Sequence, residues 1–207
     1  ILSADHALDG LDVVDLGTGN GTIAAALARA AGAHGSCTSL DVADVRVTRD
    51  GYRFVRYAGE RLPLADRCCD LVVSNHVLEH VGGRPAQIAH LREIARLLRP
   101  GGRAYVALPH RWQLIENHYR LPLLGWLPRP LADRYVRRLR GVAAFDIHAL
   151  GRRELQRLMG QAGLPARDAT DELIAVSLLL GHERSARILR RLPGATGLLR
   201  GPLLPTI

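Results

Sequence analysis

The stretch LDVVDLGTGNG, residues 11–21, determines the fold predicted for this 207-residue chain. Its first half is a short apolar run of the kind found in buried parallel strands. Residues 17–21 are rich in glycine and predict a tight turn, and the Ala-rich stretch Thr22–Ala31 behind them predicts a helix. Ser36–Leu40 predicts a second strand, which ends at Asp41. This order of strand, glycine turn, helix and strand is a βαβ unit.

Strand and helix patterns continue to alternate after this unit, which favours an α/β domain with a mostly parallel sheet. Residues 45–57 surround an Asp-Gly turn pair and predict either a hairpin or a loop followed by one strand. The later predicted elements are strands at Cys69–Ser74, Tyr105–Leu108 and Leu164–Thr170, and helices at Pro85–Leu98, Gly151–Gly163 and Glu183–Leu192.

The composition excludes several classes of protein. Hydrophobic residues make up 47 % and charged residues 23 % of the chain, which argues against a disordered protein. The sequence has no apolar run approaching the roughly 20 residues of a membrane-spanning helix. The three cysteines form no CxxC pair, so we expect reduced thiols and a cytoplasmic protein. Histidines and carboxylates show no spacing typical of a metal site, and we expect no metal.

Positive charge is concentrated in the second half of the chain. All 28 basic side chains are arginine, and the formal net charge is +8. Residues 1–120 hold 14 Arg against 13 acidic residues, whereas residues 121–207 hold 14 Arg against 7. This excess favours an anionic partner and keeps nucleic acid among the alternatives. Aromatic side chains, which stack on bases, make up only 4 % of the chain and argue against that partner.

The glycine spacing and Asp41 predict a ligand that contains a ribose. Gly17, Gly19 and Gly21 form a GxGxG pattern, whereas a dinucleotide fingerprint would have glycine in place of Thr22. An acidic residue at the end of the second strand can accept hydrogen bonds from both ribose hydroxyls. The pattern therefore disfavours NAD. A tight turn and a surface acid would also explain these residues taken alone.

Three later stretches, taken in order with the first two motifs, resemble a known family. They are AGERLPLAD (residues 58–66), CDLVVSNHVLEHV (residues 69–81) and LLRPGG (residues 97–102). With the glycine turn and Asp41 they are similar to the class I S-adenosylmethionine-dependent methyltransferases, most of all to the type 11 small-molecule group. The resemblance implies a Rossmann-like, doubly wound sheet of seven mostly parallel strands. Because the chain stops where the last strand would begin, we expect that strand to be truncated.

The resemblance also implies S-adenosylmethionine as the cofactor and a role for each motif. The glycine turn would line the methionine part of the cofactor, Asp41 would bind the ribose, and residues 58–60 would flank the adenine. Asn75 and His76 would lie beside the sulfonium, and His80 would help to position a helix. The implied cofactor-binding residues are Asp15, Gly17, Thr18, Gly19, Asp41, Ala58, Gly59, Glu60 and Asn75.

Residues 109–144 depart from the alternating pattern. The segment contains several prolines and both tryptophans, and we interpret it as an inserted lid rather than a sheet element, within a single domain over residues 1–207. Apolar residues with Trp beside arginines are typical of a lid over a hydrophobic pocket and of a peripheral membrane contact. Histidines here and after the fourth strand are candidate catalytic bases, because imidazole exchanges protons near neutral pH. These candidates are His76, His110 and His118.

Together these observations predict an S-adenosylmethionine-dependent methyltransferase that acts on a small molecule. O-methylation is favoured, and the acceptor is expected to be apolar or lipid-like. A base is needed only when the acceptor is a weakly acidic group such as a hydroxyl. The alternatives are an RNA methyltransferase and a non-catalytic Rossmann-like scaffold. The expected location is the cytoplasm, with or without contact to a membrane.

Overall fold

A parallel sheet of five strands lies at the centre of the fold. The computed structural model describes residues 8–58 and 61–171. The chain builds the sheet outward in one direction from its first strand and then in the other direction from its fourth strand, which lies beside the first. In such folds ligands bind at the carboxyl ends of these two neighbouring strands. The strands are β1 (Asp12–Leu16), β2 (Ser36–Asp41), β3 (Arg53–Arg56), β4 (Cys69–Asn75) and β5 (Leu98–Ala107), in the order β3-β2-β1-β4-β5.

Helices cover both faces of this sheet. These are α1 (Thr22–Ala31), α2 (Arg84–Leu97) and α4 (Arg152–Gln161), whereas α3 (Arg129–Arg140) belongs to the segment between β5 and α4. Val14 and Leu16 of β1 pack in one core with Leu91 of α2 and Leu158 of α4, whereas Val13 packs on the other face against α1. Successive side chains of a strand point to opposite faces, so a sheet covered on both faces needs apolar residues throughout. This requirement explains why Val13, Val14 and Leu16 of β1 are apolar, with Asp15 as the buried exception.

The segment between β5 and α4 forms a small unit with its own hydrophobic cluster. It contains an antiparallel pair, β6 (Ile115–Glu116) and β7 (Leu121–Pro122), then a 3-10 helix at Leu124–Trp126, and then α3. The prediction that residues 109–144 contain no sheet element was therefore wrong, although this hairpin is separate from the main sheet. The clustered side chains are Leu121, Leu124, Ala132, Val136, Phe145 and Ile147.

Two predicted strands differ from the structure. β5 begins at Leu98 rather than Tyr105, and its register against β4 shifts between Cys69 and Leu71 to accommodate the Pro-Gly-Gly sequence. Residues 164–169 form no strand. There, Pro165 lacks an N–H for a sheet, and Asp168 Oδ1 instead accepts hydrogen bonds from the backbone N–H and the hydroxyl of Thr170.

The remaining sheet predictions can be compared for the described residues. Residues 45–57 form a loop followed by β3, which is parallel to β2, so the hairpin alternative was wrong. The main sheet has five strands among the described residues, so the class is confirmed but the count of seven is not. The predicted helix at Glu183–Leu192 and the truncated strand at the end of the chain lie outside the described residues. Within the described part of the chain, every helix is too short or too polar to cross a membrane.

Candidate functional site

The glycine turn after β1 is tightly packed at its ends and open in its middle. Gly17, Gly19 and Gly21 all have positive φ, at 80°, 51° and 85°. A Cβ at Gly17 would overlap the side chain of Val77, and one at Gly21 would overlap the backbone oxygen of Thr48. A Cβ at Gly19 would have no protein atom within 4 Å. A ligand can therefore approach the backbone of the turn at Gly19.

Asp41 lies against the same turn. Its Oδ2 accepts a hydrogen bond from the backbone N–H of Gly19 at 2.9 Å, and its Oδ1 accepts one from Ala43 at 3.2 Å. The side chain is partly exposed at the end of β2. The carboxylate that the sequence assigns to a ribose is thus beside the open part of the turn and can still accept bonds from a ligand.

A buried chain of hydrogen bonds runs beneath the turn. The Ser39 hydroxyl donates to Asp15 Oδ2 at 2.6 Å and lies 2.7 Å from the hydroxyl of Thr18. Burial raises the pKa of the Asp15 carboxyl from 3.8 to about 6, against the lowering effect of the Ser39 hydrogen bond, and the charge of Asp41 adds to the increase. At pH 7 Asp15 is a carboxylate in surroundings that favour its protonation. A cationic group bound nearby would therefore be stabilised.

The predicted adenine segment is described only in part. The backbone N–H of Tyr57 donates to the Asp41 carbonyl oxygen at 3.1 Å, and burial raises the pKa of the Tyr57 hydroxyl. Ala58 follows and is exposed. Gly59 and Glu60 lie outside the described residues, so their predicted role stays a prediction.

The end of β4 brings a second group of polar residues to the crevice. Asn75 pairs with Ala107 of β5, and the next residue, His76, has a left-handed backbone with φ of 58°. The ring Nδ1 of His76 lies 3.3 Å from Oε1 of Glu79. Glu79 is fully buried, and the predictions omitted it because nothing local marks it as functional beyond the motif that contains it.

The segment between β5 and α4, which includes the insert, packs directly on this turn. The backbone N–H of His148 donates to the Glu79 carbonyl oxygen at 2.8 Å, and the Gln87 side chain donates to the His148 carbonyl oxygen at 2.8 Å. From the hairpin, His118 contacts the His80 ring edge-to-face with centroids 4.8 Å apart. His80 is exposed in a turn that precedes α2, and its predicted role in positioning a helix stays a prediction.

His110 lies in a different environment from the other two candidate bases. It forms a bridge with Leu150 and lines a cavity of about 980 Å³ along the outer side of β5. Burial, and then the nearby charge of Arg152, lower the pKa of its imidazole. None of the predicted cofactor-binding residues lines this cavity, so we do not identify it with the cofactor site. His76 and His118 are both brought to Glu79, whereas His110 is not among the groups that contact it.

The described residues fit S-adenosylmethionine. Gly19 leaves its backbone open to a ligand, Asp41 presents a partly exposed carboxylate, and Asp15 supplies buried negative charge. These are the features needed for a cofactor with a ribose and two cationic groups. Asp41 would hold the ribose hydroxyls, and the glycine turn would hold the methionine part.

Comparison with known proteins identifies the family. A family model described as a methyltransferase domain matches residues 14–106. A ubiquinone/menaquinone biosynthesis C-methyltransferase of Xylella fastidiosa is 31 % identical over 186 residues, which cover 79 % of this chain and 71 % of that protein.

Other curated relatives are matched over less of their length. An arsenite methyltransferase of Aquipseudomonas alcaligenes is 35 % identical over 50 % of this chain, and a ubiquinone biosynthesis O-methyltransferase of Parvibaculum lavamentivorans is 29 % identical over 63 %. The chain spans only 34 % and 54 % of the length of these two proteins.

Solved structures share the fold. An S-adenosylmethionine-dependent methyltransferase from Mesorhizobium loti has a TM-score of 0.54 and 20 % identity, covering 76 % of each chain. One from Aquifex aeolicus has a TM-score of 0.52 and 19 % identity, covering 78 % of this chain and 76 % of that one. The matching domain, the relative matched over most of its length and the shared fold show that the chain belongs to the class I S-adenosylmethionine-dependent methyltransferases, type 11 group.

Proposed function

We propose that this protein transfers a methyl group from S-adenosylmethionine to a small-molecule acceptor, most favourably to an oxygen atom. The observation that carries the proposal is the pairing of Asp41 with the glycine turn. The Asp41 carboxylate is bonded to the one glycine of the turn whose backbone a ligand can reach. S-adenosylmethionine supplies an electrophilic methyl group on a positively charged sulfur.

The electrostatics of the site support a cationic ligand. Burial raises the pKa of Asp15, and the nearby charge of Asp41 raises it further. A bound cation would relieve both effects. These two side chains bind and orient, and nothing in their arrangement requires them to exchange a proton with the acceptor.

The insert is suited to exclude water from the reaction. Its hairpin and the residues up to His148 pack on the turn after β4, which itself contacts the glycine turn through Val77. Methyl transfer depends mainly on alignment and on exclusion of water, and a covering segment supplies both. We therefore propose that residues 109–144 are a lid over the acceptor.

An apolar acceptor is favoured by the surface of the insert. Its exposed apolar side chains include an edge-to-face pair, Trp112 and Trp126, with centroids 5.4 Å apart. Two of the relatives bear the names of ubiquinone biosynthesis methyltransferases, one acting on oxygen and one on carbon. We propose a hydroxylated aromatic or lipid-like acceptor, which this surface would admit from solution or from a membrane surface. The other exposed apolar residues of the insert are Leu114, Ile115, Leu123, Leu131 and Leu139.

The test is methyl transfer from radiolabelled S-adenosylmethionine. The purified chain is incubated with a panel of hydroxylated quinone precursors, with arsenite and with total RNA, and an Asp41→Ala variant is the control. We expect label on a hydroxylated apolar compound and none with the variant. Label on RNA, together with RNA binding that weakens steeply with salt, would favour the nucleic-acid alternative. Cofactor binding without label on any class of acceptor would favour a scaffold.

A further inference from the structure

Three potential metal ligands meet where the insert contacts the turn after β4. Glu79, His80 and His118 each offer one ligand atom, and these atoms lie within 4.8 Å of one another. This is the one such group of three or more found among residues 8–58 and 61–171. Ligands of one bound ion are roughly 3–4 Å apart, so small side-chain rotations would complete a site.

The carboxylate of Glu79 lacks the partners that a buried charge needs. The side chain is 0 % exposed. Its Oε1 lies 3.3 Å from His76 Nδ1 and 4.0 Å from His118 Nε2, while its Oε2 is buried without any hydrogen-bond partner. Burying a carboxylate without full compensation is unfavourable unless it is paired or binds a metal. A cation between Glu79 and the imidazoles would satisfy it.

The orientation of His118 is fixed by a second buried carboxylate. Oε1 of Glu116 lies 2.7 Å from Nδ1 of His118, and Oε2 of Glu116 accepts a bond from the backbone N–H of Tyr119 at 2.6 Å. With its proton on Nδ1, His118 turns the lone pair of Nε2 toward Glu79. A metal ion between Nε2 of His118 and the carboxylate of Glu79 would accept that lone pair. A carboxylate behind a histidine is the usual outer partner of a metal-bound imidazole.

We propose that Glu79, His80 and His118 bind a divalent transition-metal ion, with Glu116 as the outer partner of His118. Two imidazoles and one carboxylate suit Zn²⁺ or Fe²⁺ better than Mg²⁺ or Ca²⁺, which prefer oxygen ligands. Three protein ligands leave a coordination position open, as in catalytic metal sites. The site joins the turn after β4 to the insert, so the ion would also hold the insert in place.

The role of the ion rests on the proposed function, whereas its binding does not. A hydroxyl oxygen of the acceptor at the open position would lose its proton to water more readily. The resulting oxygen nucleophile would form the new O–C bond as the C–S bond breaks and the sulfur becomes neutral. The site thus points to an acceptor with a hydroxyl group.

The test measures metal binding and cofactor binding separately. The full chain, without a histidine tag and stripped with EDTA, is titrated with Zn²⁺, Mn²⁺ and Mg²⁺, and then with S-adenosylhomocysteine. The variants are His80→Ala and His118→Ala, both at exposed positions, and Glu116→Gln, which alters the outer partner of His118. His34→Ala, an exposed histidine far along the chain from the cluster, is the matched control.

We expect one Zn²⁺ per chain and weaker binding of Mg²⁺. The affinity for Zn²⁺ should fall at least about tenfold in His80→Ala and His118→Ala, and about 10–100-fold in Glu116→Gln, with His34→Ala unchanged. A folded chain that binds S-adenosylhomocysteine but no Zn²⁺ would overturn the metal site. So would Zn²⁺ binding that is equal in all variants. Zn²⁺ binding without S-adenosylhomocysteine binding would overturn the proposed function and leave the metal site standing.

Discussion

Replacing Asp15 by Asn should change how stability depends on pH. The folded chain holds this carboxyl at a pKa of about 6, against 3.8 for an ordinary Asp, because it is buried. Between those values the unfolded chain has released the proton and the folded chain still holds it. The stabilising contribution of Asp15 to the free energy of unfolding is therefore fully present below pH 3.8, and it is lost as the pH rises through 6.

The magnitude follows from the size of the shift. A difference of about two pKa units between the folded and unfolded chains changes the free energy of unfolding by about 3 kcal/mol over the full titration. About 2 kcal/mol of this change falls between pH 4.5 and 7. Asn keeps the shape of Asp15 and can still accept the hydrogen bond from Ser39 but does not titrate. The free energy of unfolding of Asp15→Asn, minus that of the unaltered chain, should therefore rise by about 2 kcal/mol from pH 4.5 to 7.

The assay is urea denaturation at half-unit pH steps, followed by far-UV circular dichroism and by tryptophan fluorescence. Agreement of the two probes and equal urea dependence in both proteins ensure that the free energies can be compared. Taking the difference between the proteins removes the contributions of all other titrating groups. A difference that stays constant from pH 4.5 to 7 would refute the claim that burial holds Asp15 protonated in the folded chain.

Two further perturbations test other parts of the account. His90→Gln removes a buried imidazole that lies 3.3 Å from the Ser74 hydroxyl. Burial lowers the pKa of this imidazole to about 4. The stability from neutral His90 is present above pH 6.5 and is lost as pH falls toward 4, so the variant should gain about 3 kcal/mol relative to the unaltered chain over that window in the same urea assay. Gly17→Ala and Gly19→Ala share the strain of positive φ, roughly 1–2 kcal/mol, but only Gly17→Ala also overlaps Val77. Gly17→Ala should therefore lower the thermal midpoint more, whereas Gly19→Ala should mainly weaken cofactor binding, and equal losses of stability would contradict the packing argument.

The start of the fold is predictable from sequence because its signals are local. The apolar run, the glycine turn and the Ala-rich stretch each specify a short element, and Asp41 ends a strand that must lie beside β1 in a βαβ unit. The open backbone at Gly19 and the pKa of Asp15 are not visible in sequence. The first depends on which residues pack around the turn, and the second depends on the sheet that buries Asp15, and only the folded chain brings these together.

The second half of the site could not be predicted for the same physical reason. Glu79 and His118 are far apart in sequence, and they meet because a hairpin with two residues in each strand folds back on the turn after β4. A hairpin that short carries no periodic pattern. The predicted strand at Leu164–Thr170 was wrong for the opposite reason, because there the local pattern indicated a strand that the fold does not form. Asp168 instead accepts a hydrogen bond from Thr170 and forms an ion pair with Arg152.

The most direct test of the central claim is calorimetric titration of the chain with S-adenosylhomocysteine, alongside Asp41→Ala and the exposed control Asp50→Ala. Asp41 is bonded to the open glycine of the turn, whereas Asp50 is an exposed aspartate in the loop before β3. We predict binding by the unaltered chain and by Asp50→Ala, with an affinity lower by about 10–100-fold in Asp41→Ala, because a charged hydrogen bond contributes about 1.5–3 kcal/mol. Equal affinity in all three proteins would contradict the placement of the ribose at Asp41. A folded chain without any affinity for S-adenosylhomocysteine would contradict the cofactor site itself.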